Sequence, residues 1–327
     1  MTSSRSVVFH TDDLGLSKAF NAGTRAACEG GLVTSTSLRT NGAAFDEAVD
    51  SVLAEFPSLG VGVHLNLVEG MAQRQLGARS RLSNTAGHYR SSFRSLAWAH
   101  ITQDRRTLEE AEEDMRSQIE VVLDRGVAVD HLDSHQHTHA IPSLFRIVCS
   151  LALEYDIPFV RLPREAFYMG EGVLHRFLPW YPVNLIKHAL LNHYANQDQA
   201  IADEFGVRTN NYFVGILYTG HMTSATVTNG LEAAAKEEPE LVEVLLHPCL
   251  PTGDPTERFV APYLRGYVNS PARRVELAAL LDPAVQGFVR DQGWRLTNYR
   301  TEASGEQSSG RHAGTPSSEP QLPMEER

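Results

Sequence analysis

The chain has 327 residues, of which 42% are hydrophobic and 21% charged, a composition that excludes collagen-like, coiled-coil and wholly disordered proteins. Its 29 basic and 40 acidic residues give a formal net charge of −11, which argues against a general binder of nucleic acid or anionic membranes. Three cysteines do not make a disulfide framework and fit a reducing compartment. With neither a secretory signal nor an apolar run long enough to span a bilayer, the expected location is the cytoplasm.

Short apolar, strand-like runs alternate with helical patterns up to about residue 300. The predicted strands are Ser6–His10, Leu32–Leu38, Leu59–Leu67, Ala128–His135, Phe159–Leu162 and Leu241–His247. This alternation predicts parallel βαβ units, arranged as a barrel or as an open sheet. Residues 301–327 are dominated by Ser, Gly, Pro and Glu, and cannot bury enough apolar surface to offset the entropy of ordering. We predict a disordered tail there.

One helix is marked by both its start and its apolar face. Thr107 and Glu110 have the spacing of a capping box, which predicts that the helix begins there. Gly126 is placed where a helix would end. Between these positions apolar residues recur at spacings of three and four, which predicts one buried helix face made of Leu108, Ala111, Met115, Ile119 and Val122.

Two stretches interrupt the alternation, and both are predicted to be long loops or lids. Residues 71–106 contain seven arginines and a single acid, whereas residues 166–200 are rich in aromatic residues and histidine. The basic stretch could be a solvated loop or a lid that contacts an anionic or polar substrate. Hydrophobic periodicity does not decide between these interpretations.

Polar clusters follow four of the predicted strands, at the strand ends where active sites of parallel α/β proteins gather. In the first, Asp12 and Asp13 come after an apolar strand, and adjacent carboxylates are costly to bury unless they are paired or bound to metal. An N-cap and a turn acid ahead of the helix near Lys18 are the alternative.

In the second cluster, His64 and Asn66 share a strand face with glycines, which allow a close approach. A lone His of this kind is more often a core residue than a ligand.

The third cluster contains four of the 14 histidines of the chain, at positions 131, 135, 137 and 139. In an extended segment His131, Asp133 and His135 share one face. Imidazole is the commonest metal-ligating side chain and Asp is a typical orienting partner or co-ligand, although a His-rich surface loop is the alternative. The fourth cluster is His247 before Pro248, a weak signal alone. Together the four clusters suit a metal that activates water, with a carboxylate as base and a separate His as acid.

Seven stretches in this order resemble the YdjC-like carbohydrate deacetylase family, which includes chitooligosaccharide and diacetylchitobiose deacetylases. They are TDDLGLSKAFNAG, GLVTSTSLRTNG, LGVGVHLNLVEG, DHLDSHQHTHAIP, VRLPRE, LLHP and SPARRVELAALLDP. The resemblance covers roughly residues 6–300. It implies an α/β, (β/α) barrel-like fold of the glycoside hydrolase/deacetylase type with long loop insertions, and a single catalytic domain over residues 1–300.

The resemblance also implies a hydrolase that removes the N-acetyl group from an acetylated sugar or oligosaccharide and releases acetate. The implied cofactor is a divalent metal, Mg²⁺ by the usual assignment in the family, with Zn²⁺ of related deacetylases as the alternative. Carried over by position, Asp13, His64 and His135 are the metal ligands, Asp12 is the general base and His247 is the general acid. No nucleic-acid or membrane partner is expected, and the resemblance is compatible with a homodimer.

The sequence departs from the family pattern at two places. His10-Thr11 stands where the family has Asn-Ala, which puts the orientation of the base in question, and Cys249 stands where it has Gly. His137 and His139 are expected to have structural or supporting roles, and the two long insertions to determine substrate choice. A metal-dependent phosphoesterase and a non-catalytic sugar-binding protein of the same fold are the rival interpretations.

Overall fold

Parallel strands form one curled sheet in the computed structural model, which describes residues 5–77, 79–170 and 178–305. Within those residues the strands are β1 (Ser6–Leu14), β2 (Ser35–Leu38), β3 (Gly60–Leu65), β4 (His131–Ser134), β5 (Phe159–Val160), β6 (Tyr212–Val214), β7 (Leu241–Leu246) and β8 (Arg295–Leu296). Their order in the sheet is β5-β4-β3-β2-β1-β7-β6, and β8 pairs with the start of β1. The six predicted strands are confirmed, and β6 and β8 are not among the predicted strands.

The sheet curls until its two edges approach each other. His10 Nε2 on β1 lies 3.5 Å from Asp133 Oδ2 on β4, although β2 and β3 separate these strands in the sheet. At the edges, the N–H of Val160 donates to the carbonyl of Arg208 (3.0 Å), just before β6. The predicted α/β barrel-like fold is thereby confirmed, as a curled half-barrel with flanking helices.

Helices cover the outside of the curl. They are α1 (Lys18–Glu29), α2 (Phe45–Glu47, continued as a π-helix over Ala48–Leu53), α3 (Phe93–Thr102), α4 (Arg105–Asp124), α5 (Pro142–Glu154), α6 (Trp180–Phe205), α7 (Ser224–Lys236), α8 (Leu264–Val268), α9 (Pro271–Leu281), α10 (Pro283–Asp291) and α11 (Tyr299–Ser304). In the described residues, no helix is both long and apolar enough to cross a membrane.

Helix α4 confirms the predicted apolar face but not the predicted start. Ala111, Met115, Ile119 and Val122 are buried in the core, with Leu108 packed against it. The helix begins two residues before Thr107, whose hydroxyl donates to Asp104 Oδ2 at 2.8 Å, so the capping-box prediction is wrong.

Both predicted loops contain helices, and the larger error is at residues 166–200, most of which belong to α6. The buried positions of α6 recur at spacings of three and four, at Tyr181, Asn184, His188, Leu191, Ala195, Asp198 and Ala202. Three of these seven side chains are strongly polar, and this hid the hydrophobic periodicity on which the prediction relied. In residues 71–106 the missed helix is α3.

The predicted tail begins with residues that the structure places in a helix. Helix α11 extends to Ser304, four residues past the predicted domain boundary at residue 300. Residues 306–327 lie outside the described residues, so the disordered tail stays a prediction.

Strand β1 is buried on both faces and divides the core from the interior of the curl. Val7 and Phe9 pack outward in an apolar layer with Leu280 of α9. The alternate residues face inward. Val8 packs with Tyr299, and His10 reaches Asp133 on β4. Polar side chains at the carboxyl end of the strands therefore meet inside the curl.

Asp198 is a buried acid whose replacement should stabilise the protein. Neither carboxylate oxygen has a hydrogen-bond partner among the described residues, and burial raises its pKa to about 9. The unfolded chain ionises at the usual 3.8, so the native state binds more protons between about pH 4 and pH 9, and this contribution to stability falls as pH rises. Asp198→Asn should raise the unfolding free energy at pH 8 by about 2–4 kcal/mol, measured by urea denaturation.

The gain from Asp198→Asn should disappear near pH 4, where the acid is protonated in both states. Asp203→Asn, at an exposed position on the same helix, is the control and should change little at either pH. A loss of stability at pH 8 in Asp198→Asn would contradict the prediction.

Gly62 of β3 allows the close approach that the sequence predicted, and the approaching group is His131. A Cβ at Gly62 would lie 2.3 Å from His131 Nε2, whereas a Cβ at Gly266 of α8 would meet nothing within 4 Å. Gly62→Ala should lower the unfolding free energy by about 1–3 kcal/mol, and Gly266→Ala should leave it unchanged or slightly higher. Equal midpoints for the two variants in thermal unfolding would contradict this.

Candidate metal centre and active site

Three of the predicted residues, Asp13, His64 and His135, come together at the carboxyl end of the strands. Asp13 Oδ1 lies 3.6 Å from His64 Nε2 and 3.4 Å from His135 Nδ1. One ligand atom from each residue falls within 4.8 Å of the others, so the group could hold a metal ion. One carboxylate and two imidazoles are a donor set that divalent transition metals favour, and it leaves positions open for water.

His64 is held in the orientation that a metal ligand needs. Its Nδ1 lies 2.8 Å from Asp133 Oδ1 and 3.0 Å from Ser37 Oγ. When Nδ1 carries the ring proton and donates a hydrogen bond to the carboxylate, Nε2 has the free lone pair, and this is the nitrogen that faces Asp13. This Nε2 is buried and has no hydrogen-bond partner among the described residues. The residues present therefore fit a divalent cation.

His135 reaches the site from a turn, which corrects the prediction that it shares a strand face with His131 and Asp133. Strand β4 ends at Ser134, and Gln136 and His137 adopt left-handed φ angles of 57° and 55°. This tight turn carries His135 towards Asp13. His131 does not reach the group and instead hydrogen-bonds to Asp130 at 2.6 Å.

Arg39 and Glu69 complete a charged ring around the predicted ligands. Arg39 directly follows β2. Its guanidinium donates to Asp13 Oδ1 at 3.0 Å and to Glu69 Oε2 at 2.7 Å. Glu69 Oε2 also lies 3.2 Å from His135 Nε2. Burial alone would raise the pKa of Asp13, but His135, Arg39 and His64 hold it far below its usual range. Asp13 is therefore ionised, and because Glu69 offsets the charge of Arg39, a negative charge remains at the group that can attract a cation.

Asp12 is clamped by a fully buried arginine that the sequence analysis did not single out. Arg161, which follows β5, donates to both Asp12 oxygens at 2.8 and 3.2 Å. It also lies 2.6 Å from Asp133 Oδ2 and 2.6 Å from Glu243 Oε1. Burial by itself raises the pKa of Asp12, but Arg161, His64 and His10 together outweigh it and hold the pKa well below the usual value. Asp12 is therefore an oriented carboxylate rather than the N-cap or turn acid of the alternative interpretation.

His10, one of the residues that depart from the family pattern, is a second cation beside Asp12. Its Nε2 lies 3.2 Å from Asp12 Oδ1. Burial and Arg161 lower its pKa, but Glu243, Asp12 and Asp133 together raise it to about 9. At neutral pH His10 is therefore an imidazolium that helps to hold the Asp12 carboxylate in place.

His247 approaches Asp12 from β7. Its Nε2 lies 3.7 Å from Asp12 Oδ2, and its Nδ1 lies 3.5 Å from Glu276 Oε2 on α9. Glu276 also accepts the backbone N–H of His247 at 2.6 Å and is paired with Arg273. The buried carboxylate behind Nδ1 orients the ring, and His247 lines the cavity with Nε2 towards Asp12.

The remaining histidines of the third cluster do not reach the predicted ligands. His139 is a structural residue, because its ring nitrogens contact Ser134 Oγ (2.6 Å) and the carbonyl of Arg161 (3.0 Å). Burial and Arg161 lower its pKa to about 4. His137 is buried at the cavity wall, where burial and the charge of Lys187 lower its pKa.

A cavity of about 210 Å³ joins these groups. It is lined by Asp12, Asp13, Leu16, Glu69, His135, Gln136, His137, Lys187, Thr219, His247, Tyr263, Leu264 and Tyr267. Lys187 comes from α6, within the second predicted loop, and burial lowers its pKa to about 8 even though Asp12 and Glu165 oppose this. Within the described residues, none of the seven arginines of residues 71–106 lines the cavity, and several pair with acids on or next to α4, such as Arg106 with Glu110.

Several residues of the site were missed from the sequence. Arg39 and Arg161 had a usable signal, because each is a charged residue directly after a buried strand. Glu69 and Glu276 had no signal of this kind, since a loop and a helix bring them to the site, although both lie in stretches that carry the family resemblance.

The fold and this site define a class: a parallel α/β barrel-like protein with buried His and Asp groups that could hold a divalent metal. A family model described as "YdjC-like protein" matches residues 6–291. The chain therefore belongs to the YdjC-like family, which indicates an enzyme that acts on carbohydrates.

Two crystal structures resemble this chain. A putative cellobiose-phosphate cleavage protein from Enterococcus faecalis is 23% identical with a TM-score of 0.66, over 92% of this chain and 99% of that one. At this identity the likeness supports the fold. An uncharacterized protein from Agrobacterium tumefaciens is 13% identical with a TM-score of 0.43, over 90% of this chain and 87% of that one.

Proposed function

We propose that the protein is a metal-dependent carbohydrate N-deacetylase, which hydrolyses the acetamide of an N-acetylated sugar to an amino sugar and acetate. The observation that carries the proposal is the meeting of Asp13 and His135 with Asp12 and His247 around one cavity, with His64 buried directly behind Asp13. Asp13, His64 and His135 would hold the metal. Mg²⁺ is the candidate that the family resemblance implies, and Zn²⁺ is the one that two imidazoles and one carboxylate favour. A divalent cation there supplies Lewis acidity, which activates water and stabilises the negative charge that develops on the acetamide oxygen.

Asp12 acts as the general base. Arg161 and His10 fix its carboxylate, so that the proton of the attacking water has one acceptor in a defined position. The water oxygen forms a bond to the acetamide carbon as this proton moves to Asp12. Because Arg161 holds the pKa of Asp12 low, the carboxylate retains the proton only briefly.

His247 acts as the general acid. As the carbon–nitrogen bond breaks, the imidazolium donates its Nε2 proton to the departing nitrogen, which leaves as the amine of the product. Glu276 stabilises the imidazolium from behind. The 3.7 Å between Asp12 Oδ2 and His247 Nε2 lets the proton taken by Asp12 return to His247 through a small movement, which restores both groups for the next turnover.

Acetate release from a panel of N-acetylated sugars tests the proposal. The panel should contain chitobiose-type oligosaccharides and N-acetylated glycosides, with protein stripped of metal by chelator and reloaded with Mg²⁺ or Zn²⁺. We expect acetate from at least one substrate, lost on chelation and restored by one of the metals. Sugar binding without acetate release would favour the non-catalytic alternative, and phosphate release from sugar phosphates would favour the phosphoesterase.

A further inference from the structure

Helix α6 carries, beside its buried face, a second row of apolar side chains that is open to solvent. Val183, Ile186 and Leu190 follow at spacings of three and four residues and so lie on one side of the helix. Their exposed fractions are 65%, 70% and 37%. With Phe93 of α3 and the buried Leu191 they line a groove of about 390 Å³.

This apolar groove adjoins the catalytic cavity, because Gln136 and Lys187 line both. Gln136 directly follows His135, so the groove ends one residue from a proposed metal ligand. Among the described residues, Lys187 is the one charged side chain that lines the groove, and it stands at the junction with the cavity. The groove is therefore placed to receive a part of the substrate that extends past Gln136 and Lys187 along α6.

We propose that the groove is a subsite for an apolar aglycone: the substrate is an N-acetylated sugar joined to an alkyl, acyl or aromatic group that lies along Val183, Ile186 and Leu190. This inference rests on the proposed deacetylase function. The catalytic cavity alone is smaller than the roughly 300–1,000 Å³ of common ligand sites, and the groove extends it into that range.

The chemistry of the groove selects this occupant over the alternatives. Further sugar units would place hydroxyl groups against Val183, Ile186 and Leu190, which offer no side-chain hydrogen-bond partners, so these hydroxyls would lose water contacts without replacement. An apolar group instead removes its own surface and that of the groove from water. Three exposed side chains are also far fewer than the 20–30 residues a side of a standard protein interface.

The test compares two substrates that differ only in the aglycone: methyl and octyl N-acetyl-β-glucosaminide, both below the concentration of micelle formation. We expect wild-type protein to show at least about a tenfold higher kcat/KM for the octyl glycoside. Ile186→Asn and Leu190→Asn should each reduce this preference about three- to tenfold. The preference is the ratio of the two kcat/KM values measured on the same protein preparation. A smaller fraction of active protein in a variant therefore does not change it. Leu153→Asn is the matched control: Leu153 is 51% exposed on α5, lines neither cavity, and should keep the wild-type preference.

Equal kcat/KM values for the two glycosides in wild-type protein would overturn the inference, as would a preference that Ile186→Asn leaves intact. If the wild-type protein released no acetate from either glycoside, the proposed function would fail separately. Calorimetric titration with octyl β-glucoside would then test by itself whether the groove binds an apolar group. Tighter binding to wild type than to Ile186→Asn supports it, and equal binding overturns it. A dimer that Ile186→Asn dissociates, without a substrate preference, would assign the groove to a second copy of the chain and overturn the proposal.

Discussion

Replacing Asp13 with Asn is expected to reduce acetate release by at least about a hundredfold, because the proposed metal site loses its one carboxylate ligand. Asn is the appropriate substitution for two structural reasons. Asp13 has a left-handed φ of 67°, which Asn tolerates and most other residues do not. The amide oxygen of Asn can also still accept the hydrogen bond from Arg39 that Asp13 Oδ1 accepts at 3.0 Å. Ala would add backbone strain to the loss of the ligand.

The measurement for Asp13→Asn combines acetate release with metal content and a calorimetric titration of the metal. We expect both activity and metal affinity to fall while the thermal midpoint of the metal-free protein changes little. Asp291→Asn, at an exposed acid at the end of α10, is the control and should match wild type. Unchanged turnover together with unchanged metal content would remove Asp13 from the ligand set.

Replacing Arg161 with Met should cause the largest loss of stability of any change considered for this protein. The guanidinium is fully buried and contacts the carboxylates of Asp12, Asp133 and Glu243. Without it, the three buried carboxylates lose the cation that they share, and Glu243 loses its ion-pair partner. Breaking buried ion pairs of this kind costs about 3–5 kcal/mol, so near neutral pH Arg161→Met should be marginally folded or unfolded, as urea denaturation would measure.

The pH dependence separates this charge effect from a loss of packing. In the wild type Arg161 holds the pKa values of Asp12 and Asp133 below normal, so these acids contribute stability that is lost only as pH falls through those low values. In Arg161→Met burial dominates and the same pKa values rise above those of the unfolded chain. The variant should therefore gain stability as pH falls from 7 towards 5. A defect of equal size at pH 5 and pH 7 would contradict the charge explanation.

Arg146→Met is the matched control for Arg161→Met. Arg146 makes two hydrogen bonds to Glu204, at 2.7 and 2.8 Å, but this pair lies at the surface. Water solvates both partners when the pair is broken, so the loss should stay below about 1 kcal/mol. If the two variants lost similar stability, burial would not be the factor that makes Arg161 important.

Hydrophobic periodicity predicted secondary structure correctly where apolar side chains form the buried surface of the element. The run Ser6–His10 predicted β1, and the apolar spacing after Thr107 predicted the buried face of α4. It failed at α6, where Asn184, His188 and Asp198 occupy core-facing positions, and at the start of α4, where the capping box does not form. Polar residues in a core are satisfied or tolerated through distant contacts, which a local pattern does not contain.

By itself the sequence determined the strand–helix alternation, the family, and the five residues proposed for the chemistry, because these lie in short motifs at strand ends. Only the tertiary structure decided how those residues are held. Arg39, Arg161, Glu69 and Glu276 come from four separate parts of the chain, and they orient Asp13, Asp12, His135 and His247. The two arginines also help to keep Asp12 and Asp13 ionised. The groove along α6 is likewise a tertiary feature. The strength of an electrostatic interaction depends on the distance between the charges in space and not on their separation along the chain. Curling the sheet brings into contact side chains that are more than a hundred positions apart in the sequence, such as Asp12 and Arg161.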